Sequence, residues 1–169
     1  MKTCLVGCGG IAAVHGSVLT SGIDTEFVAA ADIKLEKAQS YAENFHTKPY
    51  PSLESMLEAE KPDVLHICTP HYLHVPMAIY SLERNINVFM EKPPAISFDQ
   101  LEELKKAAAK SEAQLGFCYQ NRYNASIRAA KDLIDSGKAG KVLGARAFVT
   151  WCRGAAYYTE SGWRGSLKT

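Results

Sequence analysis

Short apolar runs alternate with stretches of helical period along most of this chain, and that rhythm leaves few folds open. Thr3–Val6 is a compact β-rich run, and Glu26–Ala31, Asp63–Thr69, Asn87–Met90 and Gln114–Tyr119 repeat it. Between them lie helical patterns. Ile11, Val14 and Val18 share one face of the first, and Leu35–Phe45, Ser52–Ala59, Tyr72–Arg84 and a segment carrying Leu101, Leu104 and Ala108 follow, with Tyr123–Ser136 last. Strands separated by helices at this spacing do not pair as hairpins. They form crossover units and a parallel, doubly wound α/β sheet. Local punctuation agrees: Ser52 is placed to cap a helix, Ser97-Phe98-Asp99-Gln100 has capping-box spacing, and Gly137 is a natural stop.

After Gly140 the character changes. Lys141–Arg153 is one long β-type run with no helix behind it, and Gly154–Leu167 is aromatic and glycine-rich without period. The expected organisation is a doubly wound domain over residues 1–140 and the beginning of an incomplete α+β domain over residues 141–169. On this expectation 169 residues is the length of a fragment rather than of a small complete protein.

Charge narrows the range of partners. Lys plus Arg number 19 against 18 for Asp plus Glu, a balance that argues against a dedicated nucleic-acid or membrane-surface binder. Residues 1–91 carry 6 basic and 11 acidic side chains and residues 92–169 carry 13 and 7, so the sign changes at Glu91-Lys92. No apolar run has transmembrane length and the N-terminus reaches Gly7 too soon for a signal peptide, so a cytoplasmic protein is expected. Five scattered cysteines (4, 8, 68, 118 and 152) suggest free thiols rather than a disulfide framework.

The chemistry starts at the first turn. Gly7-Cys8-Gly9-Gly10-Ile11-Ala12 fits G-x-G-x-x-G/A between a strand and a helix. In that setting Gly7 permits the tight turn, Gly9 lets backbone approach a pyrophosphate, and small Ala12 lets the helix pack closely. Phosphates then meet the N–H groups of the helix start, with Gly10 and Ile11 in the same loop. Asp32 ends the second run, 20 residues after Ala12, where a carboxylate accepts ribose hydroxyls and repels a 2′-phosphate. Ile33, not Arg, follows it, so NAD is favoured over NADP, although Lys34 and Lys37 are close by. The fold class is accordingly a Rossmann-type doubly wound parallel sheet.

Three more clusters fall at the carboxyl ends of later strands, where open α/β sheets place ligands: Thr69-Pro70-His71-Tyr72-Leu73-His74, Glu91-Lys92-Pro93 and Gln120-Asn121-Arg122-Tyr123. Together with the glycine loop and the later Trp163-Arg164, these segments resemble, in order along nearly the whole chain, the glucose–fructose oxidoreductase/inositol dehydrogenase/MocA (Gfo/Idh/MocA) family of two-domain dehydrogenases. The resemblance implies hydride exchange between nicotinamide and a hydroxyl or carbonyl carbon of a sugar, cyclitol or related polyol, in a homo-oligomer when full length. It implies that Lys92 is the catalytic-site lysine, touching nicotinamide ribose and the substrate's reacting oxygen. Thr69, Pro70, His71 and His74 would line the cofactor's ribose end, and Glu91 would lie beside the nicotinamide ribose. Gln120 and Arg122 would approach nicotinamide and substrate, and Trp163 and Arg164 would reach the nicotinamide. His71 stands where the family often has Asn. The family supplies the usual proton acceptor from an Asp-x-x-x-His pair in a later segment, and no such pair occurs up to Thr169, so the chain alone is expected to bind cofactor but turn over poorly. His74 is a candidate relay as well as a cofactor contact.

The case for Lys92 also stands without the family. Oxidising a carbinol needs its hydroxyl proton removed and the growing carbonyl oxygen stabilised, and a cation at the mouth of the site does the second. A cis Lys92–Pro93 bond is expected as the device that aims the side chain. Other readings remain beside this one. A metal site at Cys68, His71 and His74 lacks a second ligand pair of zinc-like spacing, so no metal is expected. His15 and His66 are read as packed, hydrogen-bonded residues. The aromatics Trp151, Tyr157, Tyr158 and Trp163 suit either sugar stacking or packing. Two further functions stay open: an NAD-dependent glycosidase of the same family, and a non-catalytic nucleotide-binding regulator.

Overall fold

The structure, a computed structural model, describes residues 1–22 and 24–166 of the chain; Leu167, Lys168 and Thr169, expected to belong to the second domain, lie outside the described residues. It divides into two compact units, Met1–Cys118 and a second from Tyr119 onward, and each is treated by itself.

In the first unit the strands are β1 (Lys2–Val6), β2 (Glu26–Ala31), β3 (Lys48–Tyr50), β4 (Val64–Ile67), β5 (Asn87–Glu91) and β6 (Leu115–Cys118). All pair in parallel, in the order β3-β2-β1-β4-β5-β6. From β1 the chain builds outward to β3 on one side, then returns to the centre at β4 and builds outward to β6. The sheet's switch point therefore lies between β1 and β4, where such sheets bind ligands at the carboxyl ends.

The helices are α1 (Ala12–Leu19), α2 (Leu35–Phe45), α3 (Leu53–Glu60), α4 (His74–Leu82) and α5 (Phe98–Lys110), with a 3-10 turn His71–Leu73 leading into α4. Alternation along the strands divides the core between two faces. Cys4 and Val6 of β1 join Ala29, Ala31, Leu65, Ile67, Val88 and Met90 in a layer with α3, α4 and α5. Leu5 and Ala30 point the other way, to Ala12 of α1 and Tyr41 of α2. The caps form as their sequences suggest: Ser52 Oγ accepts from Ser55 N at 3.1 Å, and Ser97 Oγ accepts from Gln100 N at 3.2 Å.

In the first unit two expectations change. Ile11, Val14 and Val18 do not face the core: Val14 is 58% and Val18 50% exposed, and the buried side of α1 is Ala12, His15, Gly16 and Leu19. The reason is clearance. A Cβ on Gly16 would lie 2.5 Å from Tyr41 Oη and 2.7 Å from Phe45 Cζ, so α1 packs through its smallest residues. The prolines near residue 50 do more than punctuate, since Lys48–Tyr50 forms β3. Pro49 is admissible there because β3 is an edge strand, with one side of its backbone unpaired in the sheet.

The second unit contains a 3-10 turn Gln120–Tyr123, α6 (Ala125–Asp135) and α7 (Ala155–Thr159). Gly137, at φ 72°, closes α6 by donating from its N–H to Ile134 O at 3.0 Å. Residues 141–153, expected as a long strand, form no regular element and are exposed. A strand exists only with a ladder partner, and none pairs with this run among the described residues.

Candidate functional site

The site is built on the loops that follow β1, β2, β4 and β5. Gly7 leaves β1 at φ 93°, and its N–H donates to Ala31 O at 2.8 Å, tying the loop to the end of β2. A Cβ on Gly7 would lie 2.7 Å from the backbone carbonyl carbon of Cys68, so the turn after β1 touches the turn after β4 through bare backbone. Around Gly9 and Gly10 the opposite holds: a Cβ on either would meet nothing within 4 Å. Ile11 supplies no side-chain cap to α1; the N–H groups of Ala12 and Val14 turn back onto Gly9 O and Ile11 O, both at 3.1 Å, and the start of a helix is where an anion finds backbone donors.

Asp32 closes the other side of this cradle. Its Oδ2 accepts from Cys8 N and its Oδ1 from Lys34 N, both at 2.9 Å. Each oxygen keeps a further lone pair, so a half-buried carboxylate held rigidly by two backbone donors can still receive hydroxyls. Ile33 is exposed beside it. Burial, and the negative charge of Asp32 behind it, push the Cys8 thiol up to about 12, so this cysteine is no nucleophile.

At the end of β4, Thr69 Oγ1 is buried without a hydrogen-bond partner. An orphaned hydroxyl beside an open glycine cradle fits a polar ligand such as a dinucleotide. Pro70 and His71 are half-buried and follow it into the 3-10 turn. His74, in contrast, is 0% exposed. Its Nδ1 lies 2.8 Å from Pro93 O and its Nε2 2.9 Å from Thr69 O. Both ring nitrogens are therefore taken by backbone carbonyls, a placement that suits an anchor rather than the proton relay expected of it.

At the end of β5, Lys92 is exposed and its bond to Pro93 is cis, as expected. Glu91 turns inward. Burial pushes its carboxyl up, but hydrogen bonds from His15 and Cys118 outweigh that and hold it below the ordinary carboxylate value. His15 Nε2 lies 3.1 Å from Glu91 Oε1, and His15 Nδ1 lies 2.9 Å from His66 Nδ1. Burial and the neighbouring His15 lower His66 to about 4, so it is neutral at ordinary pH. This chain of groups links α1, β4 and β5 beneath the site. Sequence reading placed His15 and His66 separately as packed residues and missed that they meet Glu91. The available signal was spacing: His15 follows Ala12 by three residues, on the same inward face.

His15, Glu91 and Cys118 also bring one donor atom each within 4.8 Å of one another. Hydrogen bonds among these groups already account for that closeness. Gln120 and Arg122 lie on the 3-10 turn of the second unit, Arg122 exposed. Trp163 and Arg164 belong to an aromatic and arginine cluster in that unit. The Arg164 guanidinium lies 4.4 Å from the Tyr157 ring centroid and 5.3 Å from that of Trp163, and Arg153 lies 5.2 Å from Trp151 and Tyr157.

Known proteins share this architecture. The family model for the Gfo/Idh/MocA oxidoreductases, described as an oxidoreductase family with an NAD-binding Rossmann fold, matches residues 1–119. D-glucoside 3-dehydrogenase of Escherichia coli K12 is 28% identical over 165 residues, covering 96% of this chain and 46% of the relative. Inositol 2-dehydrogenase/D-chiro-inositol 3-dehydrogenase of Lacticaseibacillus casei is 28% identical over 151 residues, covering 87% and 44%. The WlbA dehydrogenase of Bordetella pertussis, solved in complex with NADH and UDP-GlcNAcA, superposes with a TM-score of 0.88 at 30% identity, over 97% of this chain and 50% of that one. The chain thus spans about half the length of the curated relatives it matches. With the glycine loop, the strand order and the match over residues 1–119 in agreement, the chain belongs to the Gfo/Idh/MocA oxidoreductase family, NAD-binding by its Rossmann fold.

Proposed function

We propose that residues 1–140 form the cofactor domain of an NAD-dependent dehydrogenase acting on a hydroxyl carbon of a sugar or polyol, and that residues 141–169 begin its substrate domain. The observation that carries this reading is the placement of Lys92: an exposed amine at the carboxyl end of β5, one residue after a buried, anchored carboxylate. Bound NAD would supply the hydride acceptor. Gly7, Gly9, Gly10, Ile11 and Ala12 would hold its pyrophosphate, and Asp32 its adenine-side ribose. Thr69, whose hydroxyl has no other partner, and His71 would face the ribose end, with Glu91 fixing the turn there. Lys92 would donate to the substrate's reacting oxygen and stabilise negative charge as the carbon loses hydride and the hydroxyl loses its proton to a base. Arg122, Gln120, Trp163 and Arg164 would complete the nicotinamide and substrate contacts.

Asp32 supports NAD over NADP because its carboxylate would face a 2′-phosphate. A nucleotide-linked sugar is a second substrate reading. The likeness to the WlbA dehydrogenase solved with UDP-GlcNAcA, at a TM-score of 0.88, supports it.

The test has two arms. Titrating this chain with NAD and NADP should show binding, tighter for NAD. In the full-length enzyme, assayed with free polyols and with nucleotide sugars, Lys92→Ala should cut turnover at least about 100-fold and change NAD affinity less than about threefold. Equal loss of binding and turnover would remove Lys92 from the chemistry.

A further inference from the structure

We infer that His74 is a positioning residue for Lys92, working as a two-donor clamp between the turns that end β4 and β5. The clamp itself rests on geometry alone; what Lys92 does with its position rests on the proposed dehydrogenase function.

The ring spans two backbone carbonyl oxygens, Pro93 O at 2.8 Å from Nδ1 and Thr69 O at 2.9 Å from Nε2. A carbonyl oxygen only accepts, so each bond requires an N–H, and an imidazole with N–H at both positions is the imidazolium. With one proton, a ring lone pair would face a buried carbonyl at hydrogen-bond distance and one link would be lost. The ladder between β4 and β5 ends at Ile67↔Met90, so beyond it the two backbones no longer bond to each other as a sheet. Pro93 offers no N–H of its own.

Lys92 then lies between two buried anchors. On its amino side Glu91 is held by His15 of α1, and on its carboxyl side Pro93 is held by His74 of α4. The backbone at Lys92 is fixed while the side chain remains exposed, as a group that must meet a ligand requires. Around His74, the His71 ring lies 5.6 Å away and edge-on, and Glu91 and Lys92 precede Pro93 in the clamped turn. Between α4 and α5 a surface groove is lined by Val75, Glu83 and Glu103. The amino end of α4 works against a cation, while two charge-assisted bonds to carbonyls work for it.

The test starts with the unsubstituted chain. Nitrogen-15 spectra of the histidine side chains at pH 7, with His74 assigned from His74→Gln, should show both ring nitrogens of His74 protonated and His66 as a single neutral tautomer. A singly protonated His74 at pH 7 would overturn the clamp, whatever any variant does. The second measurement is the acylation rate of Lys92 against pH, followed by mass spectrometry. His74→Gln should alter that profile, because an amide turns an oxygen toward one of the two carbonyls that the ring bridges. A His74→Gln variant that is folded by its melting curve and keeps the full pH profile would also overturn the proposal. Failure of the chain to bind NAD would instead remove the functional reading and leave the nitrogen-15 result to decide the clamp.

Discussion

At Gly7 two demands meet in one residue: a positive φ of 93°, and a neighbouring backbone that leaves a Cβ only 2.7 Å of space. Neither can be relieved by turning a side chain. Gly7→Ala should therefore destabilise the chain by at least about 2 kcal/mol and abolish NAD binding, read by urea unfolding and by titration. Asp32 offers a milder test. Asparagine can accept from Cys8 or Lys34 but not from both, and it carries no charge to repel a phosphate. Asp32→Asn should weaken NAD about tenfold and narrow the preference over NADP, with little change in melting temperature. If NAD affinity is unchanged in that variant, the ribose contact assigned to Asp32 is wrong.

At the scale of the element, α1 tests how the two layers approach. Gly16→Val would push a branched side chain into Tyr41 and Phe45 and disturb the Tyr41 Oη–H bond to Ala12 O, and should cost about 1–3 kcal/mol. Val18→Ser, on the face that sequence periodicity assigned to the core, should change stability by less than about 0.5 kcal/mol. Comparing the two urea midpoints decides which face is buried. This helix also shows what a sequence can reveal. The glycine loop, the capping serines and the alternation of five of the six strands with helices were legible, because each rests on local backbone chemistry or on a period over few residues. The buried face of α1 was not. Close packing chose glycine and alanine over valine, and hydrophobicity ranks them the other way. β3 was hidden because a three-residue edge strand containing proline has no propensity signal, only a neighbour to pair with. The link from His15 to Glu91 was hidden for a related reason: 76 residues separate the partners, and the fold alone brings them together.

Over the whole molecule, ionisable groups at opposite ends of the sheet set its response to acid. Glu60, at the end of α3, is buried near the amino ends of β1 and β3, paired with Lys2 at 3.0 Å and Lys48 at 2.9 Å. Tyr50 Oη–H donates to its Oε1 at 2.5 Å. Those hydrogen bonds, from Tyr50 first and then the lysines, lower Glu60 to about 2, and the same bond raises Tyr50 to about 12. Its contribution is present above the ordinary carboxylate pKa of about 4.5 and is lost as pH falls toward 2. His66, lowered from 6.5 to about 4, acts earlier. Between those values the unfolded chain takes up a proton that the folded chain refuses, so stability drops as pH falls from 6.5. Urea unfolding should lose about 1–3 kcal/mol in each window, the first absent in His66→Gln and the second in Glu60→Gln.

The three-residue strand β3 carries one more consequence, for solubility. An open sheet edge is a template on which a second copy can add its own strand. Here that edge is short, has no N–H at Pro49, and displays Lys48, whose amine Glu60 holds in place. Pro49→Val would restore the missing donor in a β-branched residue, and light scattering should then show concentration-dependent self-association that the unsubstituted edge does not support. The proline that disguises β3 in the sequence would thus be the residue that keeps neighbouring molecules from extending the sheet.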